Sequence, residues 1–286
     1  METPVKIHRL EQDDLELDKP SSQGSLQDDL YFYKLIGGNA SETDELVENL
    51  RALKEEKNLL IGIFRFPFRF EGKKRFQIAT TQYLRMKEFC DAVIYFQSDD
   101  FMELIDSQTT IREAHSTFEA IEEHAIQSLT EIITNTGEIN IDFHDLHTFI
   151  NKNKGALFVY TVEEESFDIP LKYMISTPYL PDDFTDGKQL IINIGYTREI
   201  NMEMFRQLNL RLHDLFSKAE LFKIGSYLID EPGERFKITL IVNGIKDPIE
   251  PPDHYKKFPK YKELYRKWQR IAEKSKRRIQ LIRKKS

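Results

Sequence analysis

The chain has 286 residues, 40% hydrophobic and 31% charged, enough to bury a sizeable core as one large or two small domains. A single cysteine, Cys90, rules out an intramolecular disulfide, and no charged-then-apolar leader or apolar run of about 18 residues is seen, so a cytoplasmic protein is expected, at most membrane-peripheral. The net charge of −7 conceals an asymmetry: residues 254–286 hold 14 Lys and Arg against Glu263 and Glu273, a balance of +12 that leaves −19 on residues 1–253. Attraction to nucleic acid or anionic lipid is therefore confined to the tail.

Residues 1–28 are polar and acidic and predict a mostly flexible arm, with one β-like stretch at Val5–Leu10. From Asp29 strands and helices alternate. The run LYFYKLI predicts a strand, and Leu46, Val47, Leu50 and Leu53 have helical spacing. LLIGIFRF predicts the next strand. A polar helix over Gly72–Phe89, a strand over Ala92–Phe96 and a long helical region whose last part runs over about His115–Asn135 follow. That alternation implies parallel pairing in an α/β sheet.

After Gly137 the order changes to a helix begun by Asp142, a strand over Ala156–Val162, a helix ending near Thr177 and the strand LIINIGY. A helix over Asn201–Lys218 and the strands FKIGSYLI and RFKITLIVNG complete an α+β layer. The Pro-Gly pair between Asp230 and Glu234 predicts that these last two strands form a hairpin. No internal repeat is present, which excludes solenoids and propellers. Beyond Lys246 regular structure breaks, and a basic amphipathic helix is expected over Tyr261–Ile282, striped by Tyr261, Leu264, Tyr265, Trp268, Ile271, Ile279 and Ile282. Such a stripe packs on a protein surface, lies on an anionic bilayer or meets nucleic acid.

No G-x-S-x-G, complete phosphate loop or Cys-His nucleophile pattern occurs, so nothing points to an independent hydrolase. The cluster D-F-H-D-L-H, with His144 and His147 among acids, has the residue types of a metal site. Asp142 with Asp145 three residues on is most simply a helix N-cap with a favourable first-turn charge. No metal is expected.

Two stretches carry a family resemblance. FPFRFEGKKR at Phe66–Arg75 resembles the strand-to-helix junction of the FtsZ branch of the tubulin superfamily, and GEINIDFHDL at Gly137–Leu146 is similar to its synergy loop. The match covers roughly residues 28–245. It implies a nucleotide domain and a C-terminal domain flanking a long central helix, with subunits stacked head to tail so that one synergy loop completes the GTPase site of the next. The family's phosphate loop falls on Gly37–Thr43, GGNASET, where only Gly37 and Gly38 are kept. Glu42, Asp44 and Glu45 in the first helical turn would satisfy the helix dipole themselves and repel a triphosphate. The guanine-contacting positions fall on His115 and Ala120, while Glu71 and Arg75 match nucleotide-contacting residues as a remnant pair. The strands that normally precede the junction are too many for the residues available.

The expectation is an α/β fold with a truncated, Rossmann-like parallel sheet, a long central helix, an α+β C-terminal domain and a basic helical tail. The segments are an arm over 1–28, a remnant nucleotide domain over 29–114, a central helix over 115–136, a C-terminal domain over 137–246 and a linker with tail over 247–286. Strand Leu30–Ile36 would have an open edge, covered by Val5–Leu10 or by a second chain. The resemblance implies a filament-interacting protein without bound GTP that acts on FtsZ or on itself through Asn140, Asp142 and Asp145, with any GTP hydrolysis supplied only in trans. The rival readings are a divergent GTPase completed by a partner nucleotide domain, and a membrane or nucleic-acid adaptor working through residues 254–286.

Overall fold

The computed structural model describes residues 5–11, 29–54, 59–164, 175, 177–181, 183–198 and 200–249. They form an α/β fold on one eight-stranded sheet, in the order β1-β2-β3-β4-β5-β8-β6-β7. β1 (Lys6–Glu11), β2 (Asp29–Ile36), β3 (Leu59–Phe66), β4 (Ala92–Gln97) and β5 (Gly155–Glu164) pair in parallel. β8 (Phe236–Asn243) runs antiparallel to both β5 and β6 (Gln189–Tyr196), and β7 (Leu221–Leu228) closes the far edge parallel to β6. Every residue of β3 is buried, as expected of a strand covered by helices on both faces.

The helices follow from amphipathic spacing and end chemistry. α1 (Thr43–Lys54) buries Leu46, Leu50 and Leu53 and carries acids in its first turn and Arg51 and Lys54 in its last, which suits the helix dipole. α2 is Lys73–Phe89 and α3 the single turn Ser98–Phe101. α4 (Ile111–Thr134) has 24 residues, a length of about 36 Å. Its face of Phe118, Ala125, Ile126, Leu129 and Ile132 joins the core over β1 to β5, to which α5 (Phe143–Lys152) adds Leu146, Phe149 and Ile150. A second core under β5, β6 and β8 is closed by Leu208, Leu212 and Phe216 of α6 (Met202–Leu215) and its end. A buried hydroxyl chain ties the central helix to the second half of the sheet: Ser128 Oγ lies 2.8 Å from Thr161 Oγ1, which lies 2.9 Å from Thr239 Oγ1. Among the described residues no helix is long and apolar enough to cross a membrane.

Two expectations change and one alternative is chosen. The strands β7 and β8 are not a hairpin, because β6 stands between them. β6 is buried along its interior on both faces and so takes the inner position, while the turn that contains Gly233, at φ 90°, only bridges over its end. Both flanks of that bridge bond to β6, through Ile229 N–H to Tyr196 O (2.8 Å) and Thr197 N–H to Arg235 O (3.0 Å). The central helix starts at Ile111 rather than His115, because Thr110 and Glu113 form a reciprocal capping box: the Thr110 N–H donates to Glu113 Oε2 at 2.8 Å, and the Glu113 N–H donates to Thr110 Oγ1 at 3.3 Å. The edge of β2 is covered by the first of the two expected partners, since β1 pairs with it from Lys6↔Asp29 to Glu11↔Lys34. The expected helix ending near Thr177, the rest of the arm and the tail helix lie outside the described residues.

Candidate functional site

Two loops hold the residues singled out in the sequence. The first, Gly37–Thr43, leaves the end of β2. Gly37 continues the ladder by donating its N–H to Arg65 O at 2.9 Å, and a Cβ there would sit 2.4 Å from Phe64 Cζ. Gly38 adopts φ 115°, a conformation that favours glycine. Its N–H donates to Gln82 Oε1 at 2.8 Å, and the fully buried Gln82 in turn donates to Asn39 O at 2.7 Å and Thr43 Oγ1 at 3.2 Å. Asn39 Oδ1 accepts from Ser41 N–H and Oγ, and its amide donates to Glu42. The loop is thus bound to helix α2 and to itself.

Glu71 and Arg75 close over the same loop. Glu71 accepts the Phe68 N–H at 2.9 Å and pairs with Arg75 at 2.8 Å. The Arg75 stem covers Gly38 so closely that a Cβ on Gly38 would lie 2.4 Å from Arg75 Cγ. The structure therefore brings Gly37, Gly38, Glu71 and Arg75 together. Around this loop the Gly38 N–H is engaged, the Arg75 stem lies against Gly38, and Asp44 and Glu45 occupy the first turn of α1. His115 and Ala120 are solvent-exposed on α4.

The second loop, between α4 and α5, is stitched to the sheet edge. Ile139 and Ser226 of β7 exchange backbone bonds, Ile139 N–H to Ser226 O at 3.3 Å and Ser226 N–H to Ile139 O at 2.9 Å. Gly137 passes so near that a Cβ would lie 2.0 Å from Ser226 O. Ile141 is buried against Gly225. Tyr196 of β6 hydrogen-bonds Glu138, and burial, that bond and the nearby carboxylate push its phenol up to about 12.

On this rigid footing Asn140 and Asp142 are exposed. Asn140 Oδ1 accepts the Gly137 N–H at 2.6 Å, and Asp142 is the N-cap of α5, accepting the Asp145 N–H at 2.7 Å. Asp145 is half-buried and ion-paired with Lys223 of β7. All three candidates lie within one turn of chain, two facing water and one held by a lysine that the sequence reading did not connect to it. His144 is exposed and His147 is engaged with Asn151. Among the described residues no group of three His, Cys, Asp or Glu side chains gathers as a metal site.

Two buried charge networks escaped sequence reading. Glu122 of α4 pairs with Arg65 of β3 and Lys34 of β2, each at 3.0 Å, and Arg65 lies 5.7 Å over the Phe118 ring. Burial pushes the Glu122 carboxyl up, only partly offset by Arg65 and Lys34. At the other end of the strands Asp91 pairs with Lys54 at 2.5 Å and Lys154 at 2.8 Å and accepts the Leu60 N–H at 3.1 Å. Burial raises the Asp91 carboxyl, but those bonds outweigh it and hold it below the usual range. Both join residues far apart in the chain, for which one sequence carries no signal.

No family model matches the chain. It is 24% identical over 237 residues to the cell division protein FtsZ of Buchnera aphidicola subsp. Acyrthosiphon pisum, spanning 82% of this chain and 61% of that protein. It is 25% identical over 228 residues to the FtsZ of Aquifex aeolicus, spanning 78% and 61%. The chain thus spans about three-fifths of the length of the curated relatives it matches. Among solved structures it is similar to an FtsZ dimer of M. jannaschii, with TM-score 0.62 and 18% identity over 78% of this chain and 69% of that one. It is also similar to TubZ of Bacillus thuringiensis serovar israelensis in GDP-form protofilaments, with TM-score 0.60 and 16% identity over 89% and 70%.

Proposed function

Proceeding from a chain that is a relative of the FtsZ/tubulin superfamily, we propose that it is a filament-interacting protein that donates its second loop to a neighbouring subunit and holds no GTP itself. In this reading residues 29–110 are the remnant of a nucleotide domain, α4 is the central helix and residues 137–246 are the C-terminal domain. The observation that carries it is the contrast in loop geometry. The loop that would hold phosphate has its backbone donor engaged by Gln82, whereas the loop that would be donated is fixed to β7 with Asn140 and Asp142 outward.

Asn140 and Asp142 would enter the exposed nucleotide pocket of an FtsZ subunit and orient the attacking water, with Asp145 steadied by Lys223 behind them. A protein with the donor face but no pocket joins one end of a filament and offers the next subunit no site, which makes it a cap. In excess over monomers it supplies the polar groups without polymer.

The test is to titrate the full-length protein into FtsZ from the same host and follow pelleting and GTP turnover. Shorter filaments at substoichiometric amounts are expected. Any stimulation of turnover should fall on the order of a hundredfold in the Asn140→Ala/Asp142→Ala protein. Unchanged polymer and turnover at every ratio would refute the proposal.

A further inference from the structure

On the reading that the second loop is donated to a neighbouring FtsZ subunit, we propose that Lys223 withholds Asp145 from that subunit. The loop then enters with Asn140 and Asp142 alone, and the protein caps the filament more than it speeds GTP turnover. The chain reaches Lys223 along a track on β7. Gly137 lies against Tyr227, where an added Cβ would come 2.8 Å from Tyr227 Cβ, and Ile141 lies against Gly225, where an added Cβ would come 2.8 Å from Ile141 Cδ1. Asp145 is the next step and pairs with Lys223. Tyr227, Gly225 and Lys223 alternate along one face of the strand, so every fourth residue of the loop and its helix meets every second residue of β7. The first two contacts leave no room to shift, and they deliver Asp145 onto the lysine.

The acids of this segment meet partners of different kinds. Glu138 bonds the Tyr196 hydroxyl, Asp142 accepts the Asp145 N–H, and Asp145 faces an ammonium. A phenol and a backbone amide are dipoles and leave a carboxylate its net charge, whereas a lysine at contact distance cancels it. Asp142 is therefore exposed with its charge intact, while Asp145 is half-buried with its charge balanced and Oδ1 turned to β7. A carboxylate so engaged has little field left with which to align a water on another subunit.

A lysine on an edge strand also has plainer uses, as a strut or as a guard against strand pairing. The strut would add little. The Lys223 and Asp145 side chains are 32% and 30% exposed, where ion pairs contribute weakly to stability, and the loop is already fixed by the two Ile139–Ser226 bonds. A guard needs no carboxylate partner. What the pair does change is the charge beside the donated face, which is zero with the lysine and −1 without it.

The experiment adds the full-length protein to FtsZ from the same host and reads turnover at saturating GTP beside filament pelleting, after urea midpoints confirm that each variant is folded. Lys223→Met keeps the aliphatic stem and uncovers the carboxylate, and should raise turnover about tenfold above the wild-type mixture while filaments still shorten. Lys223→Met/Asp145→Asn removes the uncovered charge and should return turnover to the wild-type value, and Lys223→Arg, which keeps the pair, should stay there. A strut predicts the reverse, with filament shortening lost in both methionine variants and kept only in Lys223→Arg. That result, shortened filaments with no gain in Lys223→Met, or a gain that persists in the double variant would each overturn this inference and leave the donated loop standing. Unchanged polymer and turnover in the wild type and in every variant would refute the donated loop itself, and this inference with it.

Discussion

The loops at Gly37–Thr43 and Gly137–Asp142 both follow long, regular elements, yet they treat their backbones in opposite ways. In the first, the Gly38 N–H is turned inward onto Gln82, and the side chains of Asn39 and Glu42 bond each other. In the second, the backbone is bound to the edge of β7 and side chains are turned outward. Glycine is present in both, so glycine content does not distinguish the two loops. What distinguishes them is where the backbone hydrogen bonds go.

The largest effect should come from detaching the presenting loop. Gly137→Ala places a Cβ where Ser226 O already lies, 2.0 Å away, so loop or strand must move. A loss of roughly 3 kcal/mol in urea unfolding is expected, together with faster hydrogen exchange at the Ser226 and Ile139 amides and loss of the effect on FtsZ filaments. If filament effects survive with the loop detached, the rigid footing is irrelevant to function.

Next in size is a change that frees the inward loop. Gln82→Leu leaves the Gly38 N–H without its acceptor and should cost about 2 kcal/mol. If the inward reading holds, a fluorescent GTP analogue still does not bind, because the Arg75 stem and the acids of α1 remain. Affinity for that analogue reversed by unlabelled GTP would mean that Gln82 alone had closed a working site.

A smaller, pH-dependent effect belongs to the Tyr196–Glu138 contact. The folded phenol is raised to about 12, above an ordinary value near 10. Its contribution is complete below about pH 10 and is lost as pH rises towards 12. Tyr196→Phe should therefore lower the urea midpoint at neutral pH and flatten its decline over that alkaline window. An unchanged alkaline slope would show that Glu138 does not anchor the loop.

Much of this architecture was legible in the sequence because local pattern and global burial agree. β3 runs over the eight residues of LLIGIFRF, since an unbroken apolar run can only be buried on both faces, and Asp142 caps α5 as its spacing to Asp145 implied. The start of α4 is marked in the sequence by the Thr110–Glu113 box, which a central helix counted from His115 overlooks. The β7–β8 order was not, because a Pro-Gly turn reports that the chain reverses and not which strand lies between. At the candidate site Gly37, Gly38, Glu71 and Arg75, picked out by motif position, lie together. The Gln82 lock and the Lys223 partner of Asp145, 44 and 78 residues away, are products of folding that no local pattern encodes.

The smallest expected change in stability is the most discriminating for function. Asp142 has two separable properties: an oxygen that accepts the Asp145 N–H and caps α5, and a negative charge exposed at the tip of the loop. Serine caps helices about as well as aspartate, so Asp142→Ser should keep stability within about 0.5 kcal/mol, whereas Asp142→Ala should lose about 1 kcal/mol with the cap. If the loop works through its carboxylate, Asp142→Ser and Asp142→Ala abolish stimulation of FtsZ turnover equally despite their different stabilities. If the residue only sets the direction of the loop, Asp142→Ser behaves as wild type and Asp142→Ala alone is impaired. Urea midpoints and GTPase rates measured side by side on the two variants decide between a group that acts and a group that aims. The carboxylate role fails if activity follows the cap.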